Sequence, residues 1–511
     1  MSVERRWEGT LGGMEPLGSR LALTLRLAVV VGGLGVAALV ALRADAAAPS
    51  PARTWLLEPL VEGRGIEGYS SRVSSEPGDD VQLHVSTAGE ARYRIEIYRI
   101  GWYGGSGGQL VVCEPQDCSS DRVGVEQPIP PRDPETGELR AGWPVTDSVA
   151  LPQTARSGYY LARLVLTSGP QAGRVAGVPF VVRPPVGAKP AVLVVAPVNT
   201  WQAYNDWGGL SMYTDPKPAV RVSFDRPYAA RLNKPYLDYP IVWFLDQFGY
   251  DVGYTTDVDV DADRAMLADA SVVIIPAHSE YWSKELRDGL QAARGLGTSL
   301  MFLGGNTAYW QIRYADPERR VLELYRSSSG DPNPNERQKT VRWRDDPVDR
   351  PECELVGTQW QGGDDSTEPG AHPYSVVAAS LGHPWFAGTG FKAGDSVLGA
   401  VGYEWDSVAP ECNGIVSPTV LFRWVGKQTP NPPGVFKSSF HSTDATLTAY
   451  VADSGARVFA ASSIDFGWSI SGAAGGEPVA DGMTDPAHPP DPRMQRLVRN
   501  ALADMLTTRT R

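Results

Sequence analysis

The residues of this chain whose types and spacing suggest joint chemistry are His278 and Glu280 in PAHSEYWS, Asn306 in GGNTAYW and Tyr204 in NTWQAYNDWGG. Each group follows a continuous apolar run that reads as a strand buried on both faces: Ala191 to Ala196, Ser271 to Ile275 and Ser299 to Leu303. In an open α/β sheet, ligands bind beyond the carboxyl ends of the strands, where loops converge and helix N-termini supply partial positive charge. Four polar groups from three strand ends therefore point toward one crevice. Taken singly, each has a structural reading: a hydrogen-bonded histidine, a glutamate at a helix start, a tyrosine filling a core. Taken together, they define a candidate site.

Several chemistries are excluded. An amidotransferase needs a cysteine nucleophile at a strand-to-helix elbow, and residues 190–350 contain no Cys. No serine in this part has the GxSxG flanks of a hydrolase elbow, and neither GxxxxGK[ST] nor a strand-linked GxGxxG occurs. The acidic run Asp257-Val-Asp259-Val-Asp261-Ala-Asp263 lacks the glycine and closing glutamate of a Ca2+ loop and reads as a solvated loop. No two-histidine zinc motif is present, and six His in the whole chain leave little for a three-histidine site. What remains is a set of hard oxygen donors, phenols and a carboxylate, with one histidine nearby. Such a set suits a hard trivalent ion better than zinc.

The elements that would position these groups divide the chain. From about Thr54 to Arg183 the pattern is period-two alternation punctuated by turns, as in Val81 to Val85, Tyr93 to Tyr98, Tyr160 to Leu166 and Val178 to Val182. That pattern predicts an immunoglobulin-like β-sandwich over 53–184. A stiff linker, Arg183 to Pro190, follows. Buried strands alternating with helices at Asp238 to Phe248 and Ser283 to Arg294 then predict a doubly wound α/β domain over 190–511. A last strand, Ala456 to Ala461, and a helix, Met494 to Leu506, complete its layer, and Tyr325 to Asn413 reads as an elaborated loop region. The expected fold class is α+β multidomain: the sandwich, then a flavodoxin/glutamine-amidotransferase-like domain.

Composition sets the compartment and partners. With 47 Lys+Arg against 59 Asp+Glu, a net charge of -12 and no basic run, nucleic acid is excluded as a partner. Residues 1–48 read as a signal peptide or signal anchor: sixteen uncharged residues, 27–42, lie between arginines and precede small residues from Ala44 to Ala48. The core is short for a spanning helix but serves as an anchor if uncut. Export permits disulfides, and spacing pairs Cys113 with Cys118 and Cys353 with Cys412.

The motifs IEGYSSR (Ile66 to Arg72), YRIGWYGG (Tyr98 to Gly105), SGYYLARL (Ser157 to Leu164), TWQAYNDWGG (Thr200 to Gly209), VSFDRPY (Val222 to Tyr228), HSEYWS (His278 to Ser283), GGNTAYWQIR (Gly304 to Arg313) and GYEWD (Gly402 to Asp406) run in order along the chain. In these the chain resembles the large (beta) subunit of N,N-dimethylformamidase and its relatives. The resemblance implies an amidohydrolase with a mononuclear ferric iron (Fe3+). Glu280, Tyr204 and Tyr160 would be its ligands, with His278 and Glu404 as catalytic neighbours and Asn306 as a polar pocket residue. Implied with it is a small amide or formamide substrate; the exported setting is instead expected from the leader and cysteines, and a homo-oligomer is compatible with the chain. The competing expectation is a non-catalytic envelope or glycan-binding protein on the same fold, with Trp102, Tyr103, Trp207, Trp282 and Trp310 offering aromatic surface.

Overall fold

The computed structural model describes residues 54–57, 65–115, 118–229, 233–363, 372–412, 414–426, 444–471, 478–480, 483–484 and 489–508. The chain divides into two parts, Met1–Pro49 and a compact unit, Ser50–Arg511. The first, with the leader, lies outside the described residues. Among the described residues no helix is long and apolar enough to cross a membrane.

The fold is mixed α+β. Its N-terminal strands form two sheets. Ile66–Ser70, Asp80–Thr87 and Asp147–Ala150 make a three-stranded antiparallel sheet. Val175–Val182, Gly158–Leu166, Ala91–Ile100 and Gly108–Glu114 make the body of a second, also antiparallel. Alternation sends every other side chain to one face, so Ile66, Val81, Leu83 and Val85 meet Ile95, Ile97, Leu164 and Phe180 in one shared core.

The larger assembly is a nine-stranded sheet. Five strands are parallel, in the order Val252–Thr256, Val192–Ala196, Val272–Ala277, Ser299–Gly304 and Arg457–Ala460. Four antiparallel strands extend it: Asp444–Val451, Thr419–Val425, His372–Val376 and Ser396–Val401. The region expected as elaborated loop thus supplies two strands to this sheet and two more, Gln359–Gly363 and Glu404–Ser407, that pair with each other, because its Pro/Gly-rich connections hide short apolar runs. Val194, Ile274 and Met301 face one core, shared with helix Asn233–Gln247, while Val195, Val273, Ile275 and Phe302 face another, shared with helix Lys284–Gly295. Ser283 caps the latter helix, its hydroxyl accepting from the Leu286 amide at 3.2 Å.

Three further expectations meet the structure. Both spacing-derived disulfides are present, Cys113–Cys118 and Cys353–Cys412. The acidic run is no solvated loop: Asp257–Ala262 is a short helix, capped by a reciprocal pair between Thr256 and Asp259, with Asp257 buried. Trp207 and Trp282 are core residues, Trp282 lying against Phe302 and Trp207 donating to Glu67. Neither offers a flat aromatic surface for a sugar.

Candidate active site

The chain leaves the strand Val192–Ala196 for neighbours on opposite sides, Val252–Thr256 and Val272–Ala277, so the sheet's order reverses there. Ligand sites form beyond the carboxyl ends of the strands at such a point, and the groups singled out above gather there. Strand Val272–Ala277 ends at Ala277 with φ +21°, and strand Ser299–Gly304 runs beside it in register. A Cβ on Gly304 would lie 1.7 Å from the Ala277 carbonyl oxygen, so only glycine fits at this pinch. The pinch delivers His278 and Glu280 from one strand end and Asn306 from the next.

Glu280 is the centre. Its carboxylate is 1 % exposed and takes one phenol on each oxygen: Tyr213 donates to Oε1 at 2.5 Å and Tyr204 to Oε2 at 2.9 Å. The two phenol rings stack at 4.1 Å, and Tyr281 stands edge-on to both. Tyr204 ends helix Val198–Tyr204, whose Thr200 hydroxyl accepts from the Glu280 amide at 3.0 Å and so fixes the carboxylate against its own helix. The ion-pair partner of Glu280 among the described residues is His278, at 3.4 Å. Burial would raise the Glu280 carboxyl, but the His278 contact and the two phenol donors outweigh it and hold it below its ordinary value. Burial drives the Tyr204 and Tyr213 phenols well above theirs.

His278 is 2 % exposed. Its Nδ1 faces the Gly305 carbonyl at 3.4 Å, an acceptor only, so this contact is a hydrogen bond when Nδ1 carries a hydrogen. Nε2 then faces the site, 3.1 Å from the Tyr204 hydroxyl and 3.9 Å from the Glu404 carboxylate. Glu404 lies on the short strand Glu404–Ser407, its side chain 21 % exposed at the open side of the cluster. Asn306, at φ +50°, donates Nδ2 to Glu404 at 3.4 Å and keeps a buried Oδ1 with no hydrogen-bond partner among the described residues. Its backbone amide donates to Asp406 at 2.8 Å.

Five of the six anticipated residues, His278, Glu280, Asn306, Tyr204 and Glu404, are therefore brought together. Tyr160 is not among them. Successive residues of strand Gly158–Leu166 face opposite ways, so Tyr159 joins the core of the nine-stranded sheet while Tyr160 points into the two-sheet core against Phe180. The Tyr160 hydroxyl donates to the Arg156 carbonyl at 2.7 Å, and burial pushes its phenol up to about 12. The second phenol on Glu280 is Tyr213, which the residue reading missed although it follows Tyr204 in the same Trp/Gly-rich segment. Asp406 was missed as well. It stands two positions after Glu404, hence on the same face of the strand, and burial raises its carboxyl to about 7.

Among the described residues no group of three His, Cys, Asp or Glu is placed to hold a metal ion. The oxygen donors that converge here are two phenols and one carboxylate, and the buried carboxylate has no lysine or arginine among its described ion pairs. This donor set fits a hard cation. No curated protein matches the chain. The family model for N,N-dimethylformamidase beta subunit-like proteins, C-terminal part, matches residues 94–481, which include every residue of the cluster. The match spans more than half of the chain, which belongs to the N,N-dimethylformamidase beta subunit-like family.

Proposed function

We propose that the protein is an exported, iron-dependent amidohydrolase that cleaves the C–N bond of a small amide or formamide. One observation carries the reading: two stacked phenols meet the two oxygens of one buried carboxylate, with a histidine and a second carboxylate at its open side. Tyr204, Tyr213 and Glu280 would hold the ion. Bound ferric iron supplies a Lewis acid that polarises a carbonyl and acidifies water.

The chain's own groups do the rest. Water adds to the carbonyl carbon, the C–N bond breaks, and the water proton ends on the leaving amine. His278 Nε2, held toward the site by its Nδ1 contact, takes that proton and passes it on, with Glu404 3.9 Å away as the second station. Asn306 Nδ2, which donates to Glu404, would turn to the developing oxyanion.

Export is supported by the leader pattern of 1–48 and by two disulfides, which persist in oxidising compartments. The immunoglobulin-like character of 53–184 and the doubly wound character of 190–511 belong to the same proposal, supported by the facing antiparallel sheets and by helices on both sides of the parallel strands. The test is iron content and visible absorption of the purified chain, followed by amine release from formamide, N-methylformamide and N,N-dimethylformamide. About one iron per chain with a phenolate charge-transfer band, and turnover of one of these amides, is expected. Colourless protein after incubation with ferric iron would overturn the metal reading.

A further inference from the structure

The loop that joins Tyr204 to Tyr213 turns through Gly208 at φ +79° and Gly209 at φ +94°, and is tied both by its own hydrogen bonds, such as the Gly209 amide to the Asp206 carbonyl at 2.7 Å, and from outside. Arg226, from the VSFDRPY segment, is 1 % exposed and spends its guanidinium on this loop. Nη1 donates to the Trp207 and Leu210 carbonyls, both at 3.0 Å, and Nη2 donates to the Asn205 carbonyl at 2.7 Å. All three acceptors lie between the two tyrosines. Among the described residues Arg226 has no ion pair, and the carboxylate beside it in sequence, Asp225, is taken by Arg320 at 2.8 Å and Arg140 at 3.4 Å.

A buried guanidinium without a carboxylate is costly and is kept only where its donors are well used. Three carbonyls in fixed directions need a rigid planar fork, which lysine does not offer. Asn205 adds to the grip, its Oδ1 accepting from the Trp207 and Ala229 amides at 3.1 and 3.0 Å. The two ends of the gripped loop are the phenols that meet opposite oxygens of Glu280.

We infer that Arg226 is the positioning residue that sets the spacing of the Tyr204–Tyr213 pair, and through it the geometry of the ferric site. The inference rests on the proposed iron reading. The experiment uses the full chain, ferric iron alone as the probe, and the variants Arg226→Met and Arg226→Lys, each checked for a cooperative thermal transition. Wild type is expected to bind about one iron with a phenolate band. Arg226→Met, folded, should bind iron at least about tenfold more weakly with a shifted or missing band, and Arg226→Lys should recover part of both. Unchanged affinity and band in a folded Arg226→Met overturn the inference alone. If Arg226→Met does not fold, Arg226→Lys decides on the same two readings. If neither folds, the inference fails, since Arg226 then holds the fold rather than the pair. Wild type that takes up no iron removes the iron reading and the inference with it.

Discussion

Tyr93 in the two-sheet region donates to Asp147 at 2.5 Å, and Tyr213 at the sheet edge donates to Glu280 at 2.5 Å. Both carboxylates are buried. Their surroundings differ. Asp147 has Arg122 at 2.8 Å and a Thr146 hydroxyl at 2.7 Å, so its charge is neutralised within the fold. Glu280 has two phenols and a histidine, and no described arginine or lysine. A tyrosine–carboxylate contact is therefore not a functional mark. The mark is a buried carboxylate whose described charge partner is a histidine, which supplies a counter-charge only when protonated, in place of a permanently charged arginine.

That difference can be broken experimentally. The largest effect is expected at Glu280: Glu280→Ala should take iron from about one per chain to near none and abolish amide turnover together, as metal analysis and amine release would read. Retained iron would refute its role as a ligand. His278→Ala should keep the iron and its band while turnover falls by about 10² to 10⁴, and metal loss in this variant would sink the division of labour.

The structural pair should answer differently. Tyr93→Phe leaves Asp147 short of one donor and should cost about 1–3 kcal/mol in denaturant unfolding, with iron content unchanged. Tyr160→Phe should cost only about 1 kcal/mol, again without touching the metal, because its hydroxyl meets a backbone carbonyl. Iron loss in Tyr160→Phe would restore it as a ligand and overturn the assignment of Tyr213.

A pH-dependent test sharpens the supporting shell. Burial raises the folded-state Asp406 carboxyl to about 7, against an ordinary 3.8. The folded protein therefore binds this proton more tightly than the unfolded chain does. The ionised group opposes folding fully above about pH 7, and the penalty is relieved as pH falls toward the unfolded value. Asp406→Asn removes this titration, so between about pH 4 and about pH 8 the stability difference should move in the variant's favour by up to about 4 kcal/mol. A difference that stays flat with pH would refute the raised value.

Sequence by itself determined the elements whose signal is local. Alternation marks Tyr93 to Tyr98 and Val178 to Val182 as strands, and continuous apolar runs mark Val272–Ala277 and Ser299–Gly304 as strands buried on both faces. Because ligand crevices lie beyond the carboxyl ends of such strands, His278, Glu280, Asn306 and Tyr204 could be picked from their places after the runs. The family motifs added Glu404, and cysteine spacing gave both disulfides. Tertiary structure alone decided which phenols meet the carboxylate. Tyr159 and Tyr160 are neighbours in sequence, yet the pleat sends them into different cores, and a motif cannot say which way a strand faces. Tyr213 reaches Glu280 only through a glycine-containing loop whose course depends on Arg226, and Asp406 finds Asn306 only when two distant strands are laid together. Contacts between groups far apart in the chain carry no local periodicity, so packing, not pattern, fixed them.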